Sequence, residues 1–314
     1  MIKTLLESTP DAAIFLLAAI SFGMVWASRR EGLFHLALGG LMICSVGLFN
    51  HAVNAGLGIP FSIGVAVITG AMLGLAVELG LYRVFRRRNV SGESFLLASF
   101  GLLIVFERVT SMSLGTMPLS LEIHRGIVER INFMGSELTA IQWKTVSVAL
   151  VVFIVIAFMY IGEWGQKLNA VRQSGFLYDW RVGRSSVLLA GVSLISGAIA
   201  ALGGVLYHLQ HRIVIERAAM AYIVPAFVVV LSAESVGGLV ASLVPPHRHS
   251  AKIDRGLRVG LYLLMAFLLA ILTQVVTRVL EPEWKNVILL GVTLLVLRFG
   301  TVGRRERLPA GVTP

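Results

Sequence analysis

The chain has 314 residues, of which 56% are hydrophobic and only 14% charged, with a mean hydropathy of +0.83. A soluble domain runs at about 45–50% apolar and about 25% charged residues, so this composition excludes a soluble enzyme of one or two domains. The formal charge is +10, and the single cysteine, Cys44, excludes an internal disulfide framework.

Crossing a hydrocarbon layer of about 30 Å takes about 20 mostly apolar residues in a helix, and helices are favoured because lipid offers the backbone no hydrogen-bond partners. Nine apolar blocks follow in order, at about 12–28, 33–49, 57–82, 94–114, 145–162, 186–209, 221–244, 257–280 and 286–299. The second, fifth and ninth are short. The expectation is an all-α, polytopic membrane protein of eight to nine transmembrane helices, some broken or re-entrant. The first block follows Glu7 and Asp11 rather than a basic segment, and is read as a retained helix rather than a removed signal peptide. No Gly/Ser linker or shift of composition divides residues 1–314, which are read as one transmembrane domain.

Basic residues concentrate on the cytoplasmic side of short loops. With the amino terminus outside and nine crossings, the inside segments hold 18 of the 27 Lys and Arg residues, among them Arg29, Arg30 and the Arg83–Arg88 cluster. The bias predicts N-out, C-in, and it accounts for the basic charge through an anionic leaflet, without nucleic acid. The longest outside loop is about 115–143. The longest inside loop is about 163–185, where Leu168, Val171 and Phe176, with Trp180 beyond, make an apolar stripe on a short helix. Such a stripe either rests on the bilayer interface or docks in a groove of a partner.

The sequence has no G-x-x-x-x-G-K-[ST], HExxH or G-x-S-x-G motif, so phosphate cradling, zinc hydrolysis and a nucleophile elbow have no residues to carry them. His208 and His211 share a helix face, and His247 and His249 sit in a polar loop, without carboxylate or thiol ligands at convincing spacing. No metal site is expected. Most of the 32 glycines lie inside the apolar blocks. Gly70 and Gly74 have the small-xxx-small spacing of close helix pairs, continued by Gly197, Ala200, Gly203 and Gly204. Gly39–Gly40 and Gly237–Gly238 are the candidates for helix breaks opening onto a cavity.

Ionisable residues in apolar blocks are costly in lipid and point to function or to pairing. Glu78 lies about a turn from Arg83 and reads first as an ion pair near the inner interface. Glu107 and Arg108 lie toward the outer end of the fourth block. Glu234 is the deepest and has no adjacent cation in the sequence. His35 stands near the inside end of the second block.

Several segments together resemble the membrane subunits of ABC importers of the branched-chain amino acid type, in particular the shorter of the two paired permeases. GLFHLALGGLM resembles that family's broken-helix segment and GLAVELGLYRVFRRR its third-helix ending. LLASFGLLIVFE is similar to its fourth helix, GQKLNAVRQ to the start of its coupling segment, and GAIAALGGVLY and EWKNVILLGVTLLVLRFG to its sixth and closing helices. The matches run in order over about residues 13–300. Departures include His35 where the family has Asn, Leu38 where it has His, SGFLYDWRVG in the coupling stretch and LSAES in place of a Gly-Gly-x-Gly-Ser turn.

The resemblance implies a permease subunit of a bacterial inner-membrane importer for branched-chain or related small amino acids, with urea, short amides and nucleosides as other substrates. It implies a second homologous permease, two cytoplasmic ATPases and an extracytoplasmic solute-binding protein as partners. ATP and Mg belong to the ATPases, and this chain carries no cofactor and no catalytic residue. The expected coupling residues are Ala170, Val171, Arg172, Phe176 and Gly183, and Asp at Val171 or Phe176 is expected to abolish ATPase association in a folded protein. The expected substrate path is His35, Gly39, Gly40, Ser99, Gly101 and Glu234. The rival readings are a stand-alone channel or proton-linked carrier using Glu78, Glu107 and Glu234, and a scaffolding subunit without transport.

Overall fold

The computed structural model describes residues 2–28, 35–88, 90–114, 119–120, 130–133, 136–173, 178–179, 185–211, 213–214, 219–243, 251–279 and six positions between 284 and 295. The helices are α1 (Ile2–Ser28), α2 (Ala37–Asn54), α3 (Ile59–Val77), a π-helical turn (Glu78–Tyr82), α4 (Arg83–Arg87), α5 (Gly92–Leu114), α6 (Ala140–Ile161), α7 (Glu163–Gln173), α8 (Ser185–His211), α9 (Ala219–Leu243) and α10 (Ala251–Val279). α3, the π turn and α4 run on as one continuous helix, Ile59–Arg87.

Local chemistry sets several ends. α2 stops where Gly56 takes φ +85°. The Gly56 and Leu57 amides then donate to the carbonyls of Val53 and Ala52, the paired bonds of a glycine-closed helix end. Thr139 opens α6 with a reciprocal cap: its amide donates to the Gln142 side chain at 2.8 Å and its hydroxyl accepts from the Gln142 amide at 3.4 Å. Two small antiparallel pairs lie at the end of the bundle away from α7. β1 (Leu119–Ser120) runs against β4 (Ile213–Val214), and β2 (Arg130–Phe133) against β3 (Ser136–Thr139).

α1 is the central helix: 89% of its apolar window is buried, against 11% for α6. It packs on α6, α7, α8, α9 and α10, while α2 packs on α3, α5, α8 and α9. α3 and α8 meet backbone to backbone. A Cβ at Gly74 would stand 3.2 Å from the Gly197 Cα, and one at Gly70 would stand 2.8 Å from the Gly197 carbonyl oxygen. Small residues spaced four apart allow this approach.

Six described helices are long and apolar enough to cross a membrane, and α9 and α10 contain shorter apolar stretches, Tyr222–Gly237 and Val259–Thr273. Each of the first eight apolar blocks therefore overlaps a described helix over most of its length, as in an all-α, multi-pass membrane protein. Most of the ninth lies outside the described residues. The anticipated breaks differ. α2 runs unbroken through Gly39–Gly40 and α9 through Gly237–Gly238. At Gly39 and Gly40 the missing side chain serves close packing instead. A Cβ at 39 would be 2.5 Å from Ile223 of α9, and one at 40 would be 2.9 Å from Phe106 of α5. The irregularity sits in the π turn after α3.

Candidate functional site

The π turn carries a buried polar network at the α7 end of the bundle. Glu78, 1% exposed, is ion-paired with Arg86, and its other carboxylate oxygen accepts from the Ser193 hydroxyl of α8 at 3.1 Å. The pairing is with Arg86, not with Arg83 as the sequence spacing suggests, and helix geometry gives the reason. At about 100° per residue, a regular helix would set Arg83 about 140° and Arg86 about 80° away from Glu78. The wider π turn rotates less per residue, so Arg86 comes round onto the Glu78 face. π turns of this kind are frequent at functional positions. A buried carboxylate in a membrane bundle is tolerated because it is matched in charge and hydrogen-bonded.

Four residues after Glu78 in the same turn, Tyr82 is 2% exposed, and its hydroxyl shares a 2.7 Å hydrogen bond with Nδ1 of His35. The two rings meet edge to face with centroids 4.8 Å apart, and Tyr82 stacks on Phe95 of α5 at 5.4 Å. His35 lies just before α2, where its carbonyl accepts from the Leu38 amide. One turn of helix thus ties the start of α2, the end of α3, α5 and α8.

α7 leaves α6 after a single residue, Gly162. That short connection folds its apolar side back onto the bundle: Leu168 is fully buried and Val171 is 8% exposed, with α7 packed on α1. The outward face carries Glu163, Gln166, Lys167 and Ala170. Of the stripe read as either resting on the bilayer interface or docking in a partner, Leu168 and Val171 instead turn into the bundle and anchor α7. Val171→Asp is therefore expected to detach α7 from the bundle. The check is limited proteolysis after Lys167, which should accelerate at least tenfold. Unchanged cleavage would show that Val171 does not hold the helix. Further on, Asp179 clamps the first residue of α8: its carboxylate accepts from the Ser185 amide at 2.5 Å and from the Ser185 hydroxyl at 2.9 Å. A carboxylate at that end of a helix satisfies an otherwise unpaired amide and complements the dipole.

Of the residues expected along a substrate path, Gly39 faces α9 and Gly40 faces α5 at the start of α2, while His35, just before α2, meets Tyr82 of the π turn. Ser99 is buried on α5, and its hydroxyl donates to the Leu96 carbonyl at 2.8 Å within its own helix. Gly101 lies on the outward face of α5, with no atom within 4 Å of a Cβ there. Glu234 is half-buried on α9. Of the coupling residues, Ala170 is exposed and Arg172 half-buried on α7, while Phe176 and Gly183 lie outside the described residues, as do His247 and His249. Sequence reading missed Tyr82, Arg86, Ser193 and Asp179. Only Tyr82 had a local signal, standing one turn after Glu78 in the same apolar block.

At the opposite end, Gln210 donates to Asp11 at 3.0 Å. His208 is buried among aromatic rings, edge-on to Tyr207 at 5.5 Å, and His211 stacks on Tyr207 at 4.1 Å. Among the described residues no three His, Cys, Asp or Glu converge as a metal site.

No curated protein and no solved structure matches the chain. A family model described as the permease component of branched-chain amino acid transport systems matches residues 4–297. With that span covering nearly the whole bundle, the chain belongs to the family of branched-chain amino acid transport permease components.

Proposed function

We propose that the chain is one membrane subunit of an ATP-driven importer of the bacterial inner membrane, oriented N-out and C-in and carrying branched-chain or related small amino acids. Its partners are a second, homologous permease, two cytoplasmic ATPases that use ATP and Mg, and an extracytoplasmic binding protein. Transport alternates access around a cavity between permeases, with His35, Gly39, Gly40, Ser99, Gly101 and Glu234 along the path.

The observation that carries this reading is the way α7 is held. Its apolar side, with Leu168 and Val171 buried, packs on α1 and α6, and its outer side is exposed. A push on α7 reaches α8 through α1, which packs on both, and α8 moves with α3 through the Gly70, Gly74 and Gly197 contact and the Ser193–Glu78 bond. From there the displacement reaches Tyr82 and His35 at the start of α2. Ala170 supplies the outward contact and Val171 the anchor. A proton-linked carrier is the less favoured reading, because the Glu78 charge is matched by Arg86.

The test is purification of the tagged protein from its native host in mild detergent, with mass spectrometry of co-purifying chains. Stoichiometric ATPase and a second permease are expected. Ala170→Trp on the exposed face of α7 should lower ATPase recovery at least tenfold with the unfolding temperature unchanged. Recovery of the protein alone, from membranes that contain those partners, would overturn the reading.

A further inference from the structure

The start of α9 is set inside the bundle. Its first residue, Ala219, is fully buried and stands against α2, where a Cβ at Gly39 would lie 3.5 Å from the Ala219 Cβ. The first amides of a helix have no partner within it, and together with the helix dipole they favour a negative group at that end. Met220, the next residue, is 48% exposed, so one side of this first turn is open.

Within that turn, Tyr222 is 1% exposed, and its hydroxyl has no hydrogen-bond partner among the described residues. Helical side chains lean toward the N-terminus of their own helix. The Tyr222 ring is held there against the end of α8, edge to face with Tyr207 at 4.8 Å and with His208 at 6.1 Å. Its hydroxyl is thereby carried back toward the start of α9. A buried hydroxyl left unpaired loses its hydration with nothing in return, and buried polar atoms are otherwise almost always satisfied. A phenylalanine would fill the same space without that cost. The acid at this end of the bundle is engaged elsewhere: Asp11 accepts from Gln210 at 3.0 Å. At about 100° per residue, Gln210 sits about 160° round α8 from His208.

We propose that the first turn of α9 and the Tyr222 hydroxyl bind the carboxylate of a small amino acid, as a station on the substrate path. The inference rests on the importer reading, which supplies the amino acid as ligand. The amides and the dipole offset the negative charge, the hydroxyl donates to one carboxylate oxygen, and the Tyr207 and His208 rings keep Tyr222 in place. Transporters hold anionic substrate groups at the N-termini of broken transmembrane helices in the same way. With the amino terminus outside, this end of the bundle faces the side from which a solute-binding protein delivers its cargo.

The full-length protein, purified in mild detergent, is unfolded thermally alone, with a mixture of leucine, isoleucine and valine, and with their C-terminal amides, which lack the carboxylate. The acids are expected to raise the wild-type unfolding temperature by about 2–4 °C, the shift for a ligand at about ten times its dissociation constant. The amides are expected to leave it in place. Without ligand, Tyr222→Phe should unfold at or above the wild-type temperature, and the acids should no longer shift it. The proposal is overturned if the acids do not shift the wild type, if the amides shift it equally, or if Tyr222→Phe keeps the shift. It is equally overturned if Tyr222→Phe unfolds below the wild type, because the hydroxyl then has a structural partner such as a bound water. Co-purification separates this result from the importer reading. ATPases recovered with a protein that fails the amino acid arm would sink the site alone, and an amino acid shift without ATPases would do the reverse.

Discussion

Arg86→Ala is expected to cost about 3–5 kcal/mol of stability, the range for removing one partner of a buried ion pair. The Glu78 carboxylate is 1% exposed and would lose its ion pair while keeping its bond to the Ser193 hydroxyl. A neutral hydroxyl cannot offset the desolvation of a full charge. Removing both charges should behave differently. Glu78→Gln with Arg86→Leu keeps an acceptor for Ser193 and buries no ion, so most of the loss should be recovered, as is seen when buried pairs are replaced together. Thermal unfolding of the two single variants and the double variant closes the cycle. A single Arg86→Ala protein as stable as the wild type would show that the π turn does not depend on the pair.

The helical bundle was legible because membrane spans are written as long apolar runs, and the small-xxx-small pattern at Gly70 and Gly74 identified a close helix pair without naming its partner. The π turn was not legible. A run of five residues that winds more widely leaves the composition of LGLAVELGLYR unchanged, yet it exchanges Arg83 for Arg86 as the partner of Glu78. The direction of the α7 stripe was also hidden. Spacing sets Leu168 and Val171 on one face, but whether that face meets the bundle or a partner depends on the turn at Gly162. Asp179 was illegible for a third reason. It acts on a helix that begins six residues later, outside the window in which a capping residue is sought. Gly39 and Gly40 carried a signal with two readings, a break or a close contact, and packing against Ile223 and Phe106 corresponds to the second.

Gly197→Leu is expected to be the most disruptive single change on α8. The atoms that even a Cβ would meet there are the Gly70 carbonyl and, at 3.2 Å, the Gly74 Cα, and backbone cannot rotate out of the way as a flexible side chain can. Overpacking of this kind costs about 1–3 kcal/mol and more where nothing yields, so α3 and α8 have to part. The consequence reaches further than stability. Ser193 lies one turn before Gly197 on α8, so separating the helices also breaks its bond to Glu78 and disconnects α8 from the π turn and from His35. Exchange of the Tyr82–Arg86 amides, measured by mass spectrometry, should rise at least tenfold in Gly197→Leu. Gly101→Leu provides the contrast. Its Cβ meets nothing within 4 Å, so its stability should stay within about 0.5 kcal/mol of the wild type and its amide exchange at the π turn should not change. If Gly197→Leu left that exchange unchanged as well, α3 and α8 would not move as one body, and a displacement of α7 would need another route to the start of α2.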